Sequence, residues 1–196
     1  MSTVEISAKP KQRDEASEYL LALGLVDPIA QSAGKAAPAP RVADLSSARG
    51  VLLDNTKGNA GPLLRHVGDL LESQYGARPF QMARKLVYSR PADIELIDEL
   101  AAEYDYVVTG VGACGSCTSG CVRDTVELEA RATPTVAICT SVFMSSAAAH
   151  ATAFGRPDLE FVEVEHPIAA ISDDELKSRA EALVASVAAV LKGEAK

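Results

Sequence analysis

Tyr106-Val107-Val108-Thr109-Gly110-Val111-Gly112-Ala113-Cys114-Gly115-Ser116-Cys117-Thr118-Ser119-Gly120-Cys121 passes from an apolar, β-branched segment through a glycine-punctuated loop into a segment of helical spacing. Residues 106–109 predict a buried strand and residues 118–131 a helix, so the loop joins a strand to a helix. The same unit recurs on both sides. Residues 49–54 predict a strand, and 61–75 a helix with Leu63, Leu64, Val67, Leu70 and Leu71 on one side. Residues 85–88 predict a weaker strand, 93–104 a helix, 135–139 a strand, 142–154 a helix, 159–164 a strand and 172–191 a helix. The last helix opens on Ser172-Asp173-Asp174-Glu175, a capping-box pattern, and stops at Gly193. Strands alternating with helices predict an α/β fold: a mostly parallel, doubly wound sheet of four to five strands with helices on both faces.

Upstream, residues 13–25 place Ala16, Tyr19, Leu20 and Leu23 at helical spacing, and residues 31–41 are rich in Ala, Pro and Gly. The chain therefore divides into an N-terminal helical arm and linker, residues 1–43, and an α/β domain, residues 44–196. Docking of the arm on a second subunit, identical or different, is expected because it would cover Tyr19, Leu20 and Leu23. The 47% hydrophobic and 23% charged content is that of an ordinary globular domain, and 196 residues suffice for one sizeable core. No apolar run reaches the length of a membrane span, and the first residues lack the pattern of a secretory signal, so a cytoplasmic protein off the membrane is expected. A net charge of −8 disfavours a nucleic-acid partner and leaves a small molecule or another protein.

Three of the four cysteines lie between Cys114 and Cys121. In a cytosolic chain of this size such clustering points to catalysis, redox chemistry or metal binding instead of a disulfide framework. A thiol at the start of a helix meets unpaired N–H groups and the positive end of the macrodipole, both of which favour thiolate. Cys114 and Cys117 suit a nucleophilic or redox pair. The competing readings are a metal or iron–sulfur site through Cys114, Cys117 and Cys121, with Cys139 available as a fourth cluster ligand, and a tightly packed turn. No second Cys-x-x-Cys pair or close His pair supplies the remaining ligands of a zinc site. Cys139, inside a strand, reads as a core residue.

In a parallel sheet, ligands sit beyond the carboxyl ends of the strands. The loop after the first strand, Asp54-Asn55-Thr56-Lys57-Gly58-Asn59-Ala60-Gly61, offers Asn55, Lys57 and Asn59 to a carboxylate or phosphate, although taken alone it reads first as a well-made turn. It has neither Walker nor dinucleotide spacing. Thr140 and Ser141 follow the fourth strand, 135–139, as capping or substrate-binding hydroxyls. His166, ahead of Pro167 at the end of the last strand, is placed to act as acid or base or to steady a thiolate, whereas His66 and His150 lie on helices and read as structural.

Cys114-Gly115-Ser116-Cys117 resembles the motif of the UGSC family of bacterial (seleno)proteins, named for Sec-Gly-Ser-Cys and often written with Cys in first place. Leu53-Asp54-Asn55 with Lys57 and Asn59, the lead-in from Val108 to Gly112, Asp124 with Glu127-Leu128-Glu129, Cys139-Thr140 and His166-Pro167 carry the resemblance from about Gly50 to the C-terminus. The arm before Asp44 falls outside it. The resemblance implies that Cys114 occupies the position where relatives carry selenocysteine, an atom attacked or oxidised in turnover, with Cys117 as its resolving partner. Cys121 is not part of that motif, and the family is described by its motif more than by one reaction.

The expected function is that of a thiol-dependent oxidoreductase or lyase. Cys114 attacks a small anionic electrophile held by Lys57, Asn55 and Asn59, with Gly115, Ser116, Thr118, Thr140 and Ser141 also lining the substrate. Cys117 then resolves the adduct, which amounts to a reduction or to cleavage of a carbon–sulfur or carbon–heteroatom bond. His166 steadies the thiolate or supplies a proton, and backbone N–H groups around Gly115 receive developing negative charge. No bound cofactor or metal is expected, only an external thiol reductant. The alternatives are a metal or iron–sulfur protein using Cys114, Cys117 and Cys121, and a redox-sensing or accessory subunit assembled into a larger complex through the arm.

Overall fold

The computed structural model of the chain describes residue 23 and residues 37–194. The predicted helix at 13–25, with Ala16, Tyr19 and Leu20, and most of the linker lie outside the described residues. The chain divides into two compact units, Met1–Ser32 and Ala33–Lys196, and the elements described here belong to the second. They alternate throughout: β1 (Gly50–Asp54), α1 (Ala60–Tyr75), β2 (Gln81–Arg84), α2 (Ile94–Glu103), β3 (Tyr106–Gly112), α3 (Gly115–Ala130), β4 (Thr135–Thr140), a 3-10 turn (Ser141–Phe143), α4 (Met144–Ala153), β5 (Phe161–Val164) and α5 (Asp173–Lys192).

The strands form one five-stranded sheet in the order β2-β1-β3-β4-β5, and every neighbouring pair is parallel. β1, β3 and β4 are buried along their whole length, as the central strands of a sheet covered on both faces must be. Side chains alternate between two cores. Leu52, Val108 and Val136 pack with Leu63, Leu64, Val67 and Leu71 of α1 and Leu183, Val184, Val187 and Leu191 of α5. Val51, Leu53 and Val107 pack on the opposite face with Ile97 and Leu100 of α2 and Leu128 of α3. Cys139 is fully buried beside Val122 of α3 and Ala147 and Ala151 of α4.

The strand order reverses direction between β1 and β3, which puts the topological switch point, the habitual ligand crevice of such sheets, at the loops that carry Asn55 and Cys114. α5 opens with the full capping box, Ser172 Oγ accepting from the Glu175 N–H and the Glu175 side chain accepting from the Ser172 N–H, and ends at Gly193 in the left-handed conformation. No helix among the described residues is long and apolar enough to cross a membrane.

Several boundaries differ from the sequence reading. The second strand is Gln81–Arg84, ahead of the predicted 85–88. As an edge strand it needs no continuous apolar run, while Leu86, Val87 and Tyr88, which have the strand-like composition, form an exposed loop with Leu86 88% accessible. α3 starts at Gly115 instead of Thr118, because the Cys114 side chain caps it. The predicted 142–154 helix divides into the 3-10 turn and α4, and β5 begins at Phe161. The body also takes up the chain before Asp44. Ala39 and Val42 are buried, the Val42 N–H donates to the Leu191 carbonyl, and buried Glu129 accepts from the Ala39 N–H and from both terminal nitrogens of Arg41.

Candidate functional site

Cys114 is the N-cap of α3. Its backbone is extended, and its Sγ accepts the Cys117 N–H at 3.3 Å, taking up one of the orphan donors at the start of the helix. Cys114 and Cys117 are joined as a disulfide, with their Cα atoms 5.2 Å apart. The two sulfurs differ in access: Cys117 is fully buried, whereas Cys114 is half-buried and followed by exposed Gly115 and Ser116. Ser116 Oγ stands 3.7 Å from Cys114 Sγ, and a Cβ built on Gly115 would meet nothing within 4 Å. An incoming group therefore reaches Cys114 first. Thr118 turns inward, its hydroxyl donating to the Cys114 carbonyl at 2.7 Å, so it shapes the turn and has no proton left for a substrate.

The loop after β1 is a turn closed by its own asparagines. Asn55 is fully buried. Its Oδ1 accepts the Val111 N–H at 3.0 Å and the Lys57 N–H at 3.2 Å, and its Nδ2 donates to the Val111 carbonyl at 3.0 Å and to Cys121 Sγ at 3.3 Å. Both amide protons are used. Asn55 thus stands in for a strand partner where the register of β3 shifts between Gly110 and Gly112, next to a cis Gly110–Val111 peptide. Asn59 is also committed, donating to the carbonyls of Ile168 and Ile171 at 2.9 and 3.0 Å. Neither side chain has a donor to offer an anion, so of the three polar candidates in this loop only Lys57 remains for that task. Lys57 is half-buried, its ammonium 4.9 Å from the centre of the Tyr88 ring.

Thr140, Ser141 and His166 come together. The Thr140 hydroxyl donates to the Gly112 carbonyl at 3.3 Å and stands 3.1 Å from His166 Nδ1, and the His166 N–H donates to Ser141 Oγ at 3.4 Å. A tilted contact of 6.0 Å with the Phe143 ring completes the setting of the imidazole. The loops after β1, β3, β4 and β5 are therefore tied by successive hydrogen bonds, Asn55 to Val111, then Gly112 through Thr140 to His166. His66 and His150 do other work, His66 Nε2 meeting Asp173 Oδ1 at 2.7 Å and His150 stacking on Phe154.

Beneath the thiol pair lies a constellation that the sequence reading did not identify. Lys85 and Asp124, each 1% exposed, pair at 2.6 Å, and the other Asp124 oxygen accepts the Ala92 N–H at 2.7 Å. One carboxylate on α3 thus clasps both ends of the exposed 85–92 loop. Gly120 permits the approach, since a Cβ there would lie 3.0 Å from the Arg90 carbonyl. Burial pushes the Asp124 carboxyl above its ordinary value, and the Lys85 charge pulls it back. The spacing of Cys117, Cys121 and Asp124 along one helix face was the available signal. Cys121 points into this interior, and burial drives its thiol up to about 12, against the pull of Lys85 and the hydrogen bond from Asn55. Burial likewise raises Cys139. Both free thiols are thus held protonated near neutral pH. Among the described residues, no group of three or more His, Cys, Asp or Glu side chains is arranged to hold a metal ion.

The protein is thus a doubly wound α/β domain that carries a cysteine pair at the start of the helix leaving its switch-point strand. The model of the UGSC family matches residues 24–193, and the chain belongs to that family. The match starts well before Gly50, so residues 24–43, read from sequence as arm, lie within the family region. No curated protein matches the chain. Solved structures similar to it include a flavodoxin-like domain from Synechococcus sp. (13% identity, 73% of this chain and 96% of that one, TM-score 0.39). Another is a diflavin flavoprotein A3 from Nostoc sp. (11% identity, 72% and 94% coverage, TM-score 0.37).

Proposed function

We propose that the protein is a thiol-dependent enzyme in which Cys114 attacks a small anionic electrophile and Cys117 resolves the adduct. The observation that carries this reading is the asymmetry of the pair: the more accessible sulfur caps a helix and accepts a backbone N–H, and the buried one is already within bonding distance of it. In the reduced protein, the Cys114 thiolate displaces a leaving group from carbon or sulfur and forms a covalent adduct. The Cys117 thiolate then attacks Cys114 Sγ, the bond between Cys114 and the adduct breaks, and its electron pair leaves with the product. A disulfide results, the substrate fragment has gained two electrons, and an external thiol reductant reopens the pair. Lys57 attracts the anion, and the free N–H groups of the first turn of α3 receive developing negative charge. His166 accepts the Cys114 proton. Assembly with a second subunit through the N-terminal arm belongs to the same proposal, because docking would cover Tyr19, Leu20 and Leu23.

The test is turnover of small carboxylate-bearing electrophiles, with leaving groups on sulfur or carbon, by the full chain in the presence of a dithiol. One disulfide should form per product when the dithiol is left out, and Cys114→Ser should remove turnover. Product formation without thiol consumption, or unimpaired Cys114→Ser, contradicts the mechanism.

A further inference from the structure

We propose that Thr140 is a positioning residue that fixes His166 as its Nδ1–H tautomer, leaving Nε2 as the nitrogen that takes the Cys114 proton. The inference rests on the reading of Cys114 as the attacking thiolate and deepens it. The Thr140 hydroxyl has one proton, and the Gly112 carbonyl, which can only accept, lies 3.3 Å from it. With that proton spent, the oxygen can only accept from His166 Nδ1 at 3.1 Å, so Nδ1 must carry the hydrogen. Nε2 then holds a lone pair and makes no hydrogen bond among the described residues. The same hydroxyl tethers the histidine to Gly112, two residues ahead of Cys114, and a Cβ at Gly112 would lie 2.7 Å from Cys139 Sγ and 3.0 Å from Thr118 Oγ1, so the carbonyl that orients Thr140 is itself firmly packed.

The chemistry is a proton transfer alone. The S–H bond of Cys114 breaks, its electron pair stays on sulfur, and an N–H bond forms at Nε2, giving thiolate and imidazolium. The charged groups flanking His166 are Glu165 and Arg179 of α5, and they engage each other: Arg179 Nη2 lies 3.8 Å from the Glu165 carboxylate, and Nη1 donates to the carbonyls of Glu165 and Pro167. From the 3-10 turn the Phe143 ring faces the imidazole, and from the end of β4 the Thr140 hydroxyl does so. A tautomer set by a hydroxyl is thus the device that fits this histidine.

The experiment combines ¹⁵N–¹H correlation spectra of the histidine rings with the pH profile of Cys114 alkylation by iodoacetamide, on reduced full-length wild type, Thr140→Val, Thr140→Ser and His166→Gln. The expected result is Nδ1–H in wild type and in Thr140→Ser, and loss of that preference in Thr140→Val. Alkylation at neutral pH in Thr140→Val and His166→Gln should be about threefold to tenfold slower, the change in thiolate fraction for a pKa rise of roughly half to one unit. Thr140→Ser should restore the rate, which separates positioning from packing. Nε2–H in the wild type overturns the inference. So does a normal rate in Thr140→Val beside a slow His166→Gln, an outcome that leaves the thiolate mechanism standing. Normal rates in both variants remove His166 and Thr140 from the thiol chemistry together, and loss of selective Cys114 alkylation in the wild type would mark failure of the underlying reading.

Discussion

Reduced Cys117→Ala protein is expected to stop at the adduct. Treated with a dianionic aromatic disulfide such as 5,5′-dithiobis(2-nitrobenzoate), wild type should release two thionitrobenzoate ions per chain: one on attack by Cys114, and one when Cys117 displaces the retained half. Cys117→Ala should release one and keep the other on Cys114, visible as a mass increase on the peptide containing residue 114. Cys114→Ala should react far more slowly and release at most one ion, because Cys117 then has no resolving partner. The expectation follows from access. Cys117 is fully buried in the first turn of α3, with its thiol directed at Cys114, while Cys114 is half-buried beside exposed Gly115 and Ser116. Cys121 cannot substitute as resolving thiol, because it is buried on the inner face of α3 and burial holds it protonated to about pH 12. Release of two ions by Cys117→Ala, with Cys121 or Cys139 oxidised, contradicts this assignment.

Asp124→Ala should be the most damaging single substitution for stability, by about 3–5 kcal/mol, the range for breaking a fully buried ion pair. It leaves the Lys85 ammonium, 1% exposed, without its counter-charge, and it orphans the Ala92 N–H. Against a typical stability of about 5–15 kcal/mol this is a large fraction. Urea denaturation measures it, and a paired Lys85→Met, Asp124→Leu variant should recover much of the loss, because two apolar groups remove both desolvation costs at once. A loss below about 1 kcal/mol for Asp124→Ala would mean that Lys85 reaches water when unpaired. The prediction bears on the site because this carboxylate sits one turn beyond Cys121, on the helix that presents Cys114, and holds the 85–92 loop against it.

The alternation of strands and helices, and the position of Cys114 at a helix start, were legible because both depend on local pattern. Buried β1, β3 and β4 advertise themselves as apolar runs, and the Ser172 capping box and Gly193 stop are short-range chemistry. What could not be read locally was decided by tertiary demands. Residues 85–88 have strand composition, but the sheet edge was filled by Gln81–Arg84, and Lys85 left the sheet to neutralise Asp124. Asn55 and Asn59 have the make-up of an anion-binding loop, yet a register shift in β3 took the whole Asn55 side chain to complete its hydrogen bonding, and the Ile168 and Ile171 carbonyls took Asn59. Thr140 and Ser141 read as capping or substrate-binding hydroxyls, and the fold gave them His166 to hold. In each case a polar side chain suited to a ligand was claimed by backbone or by another side chain, which no spacing in the sequence announces.

The most direct test of the central claim is the pH dependence of alkylation at each cysteine of the reduced protein, read by peptide mass spectrometry. Cys114 alone is expected to react with a midpoint well below the value of about 8.5 for an ordinary thiol, with Cys121 and Cys139 inert until the protein unfolds. If Cys114 titrates as an ordinary thiol, or if all the cysteines react together, the helix-start thiolate does not exist and the proposed enzyme chemistry fails with it.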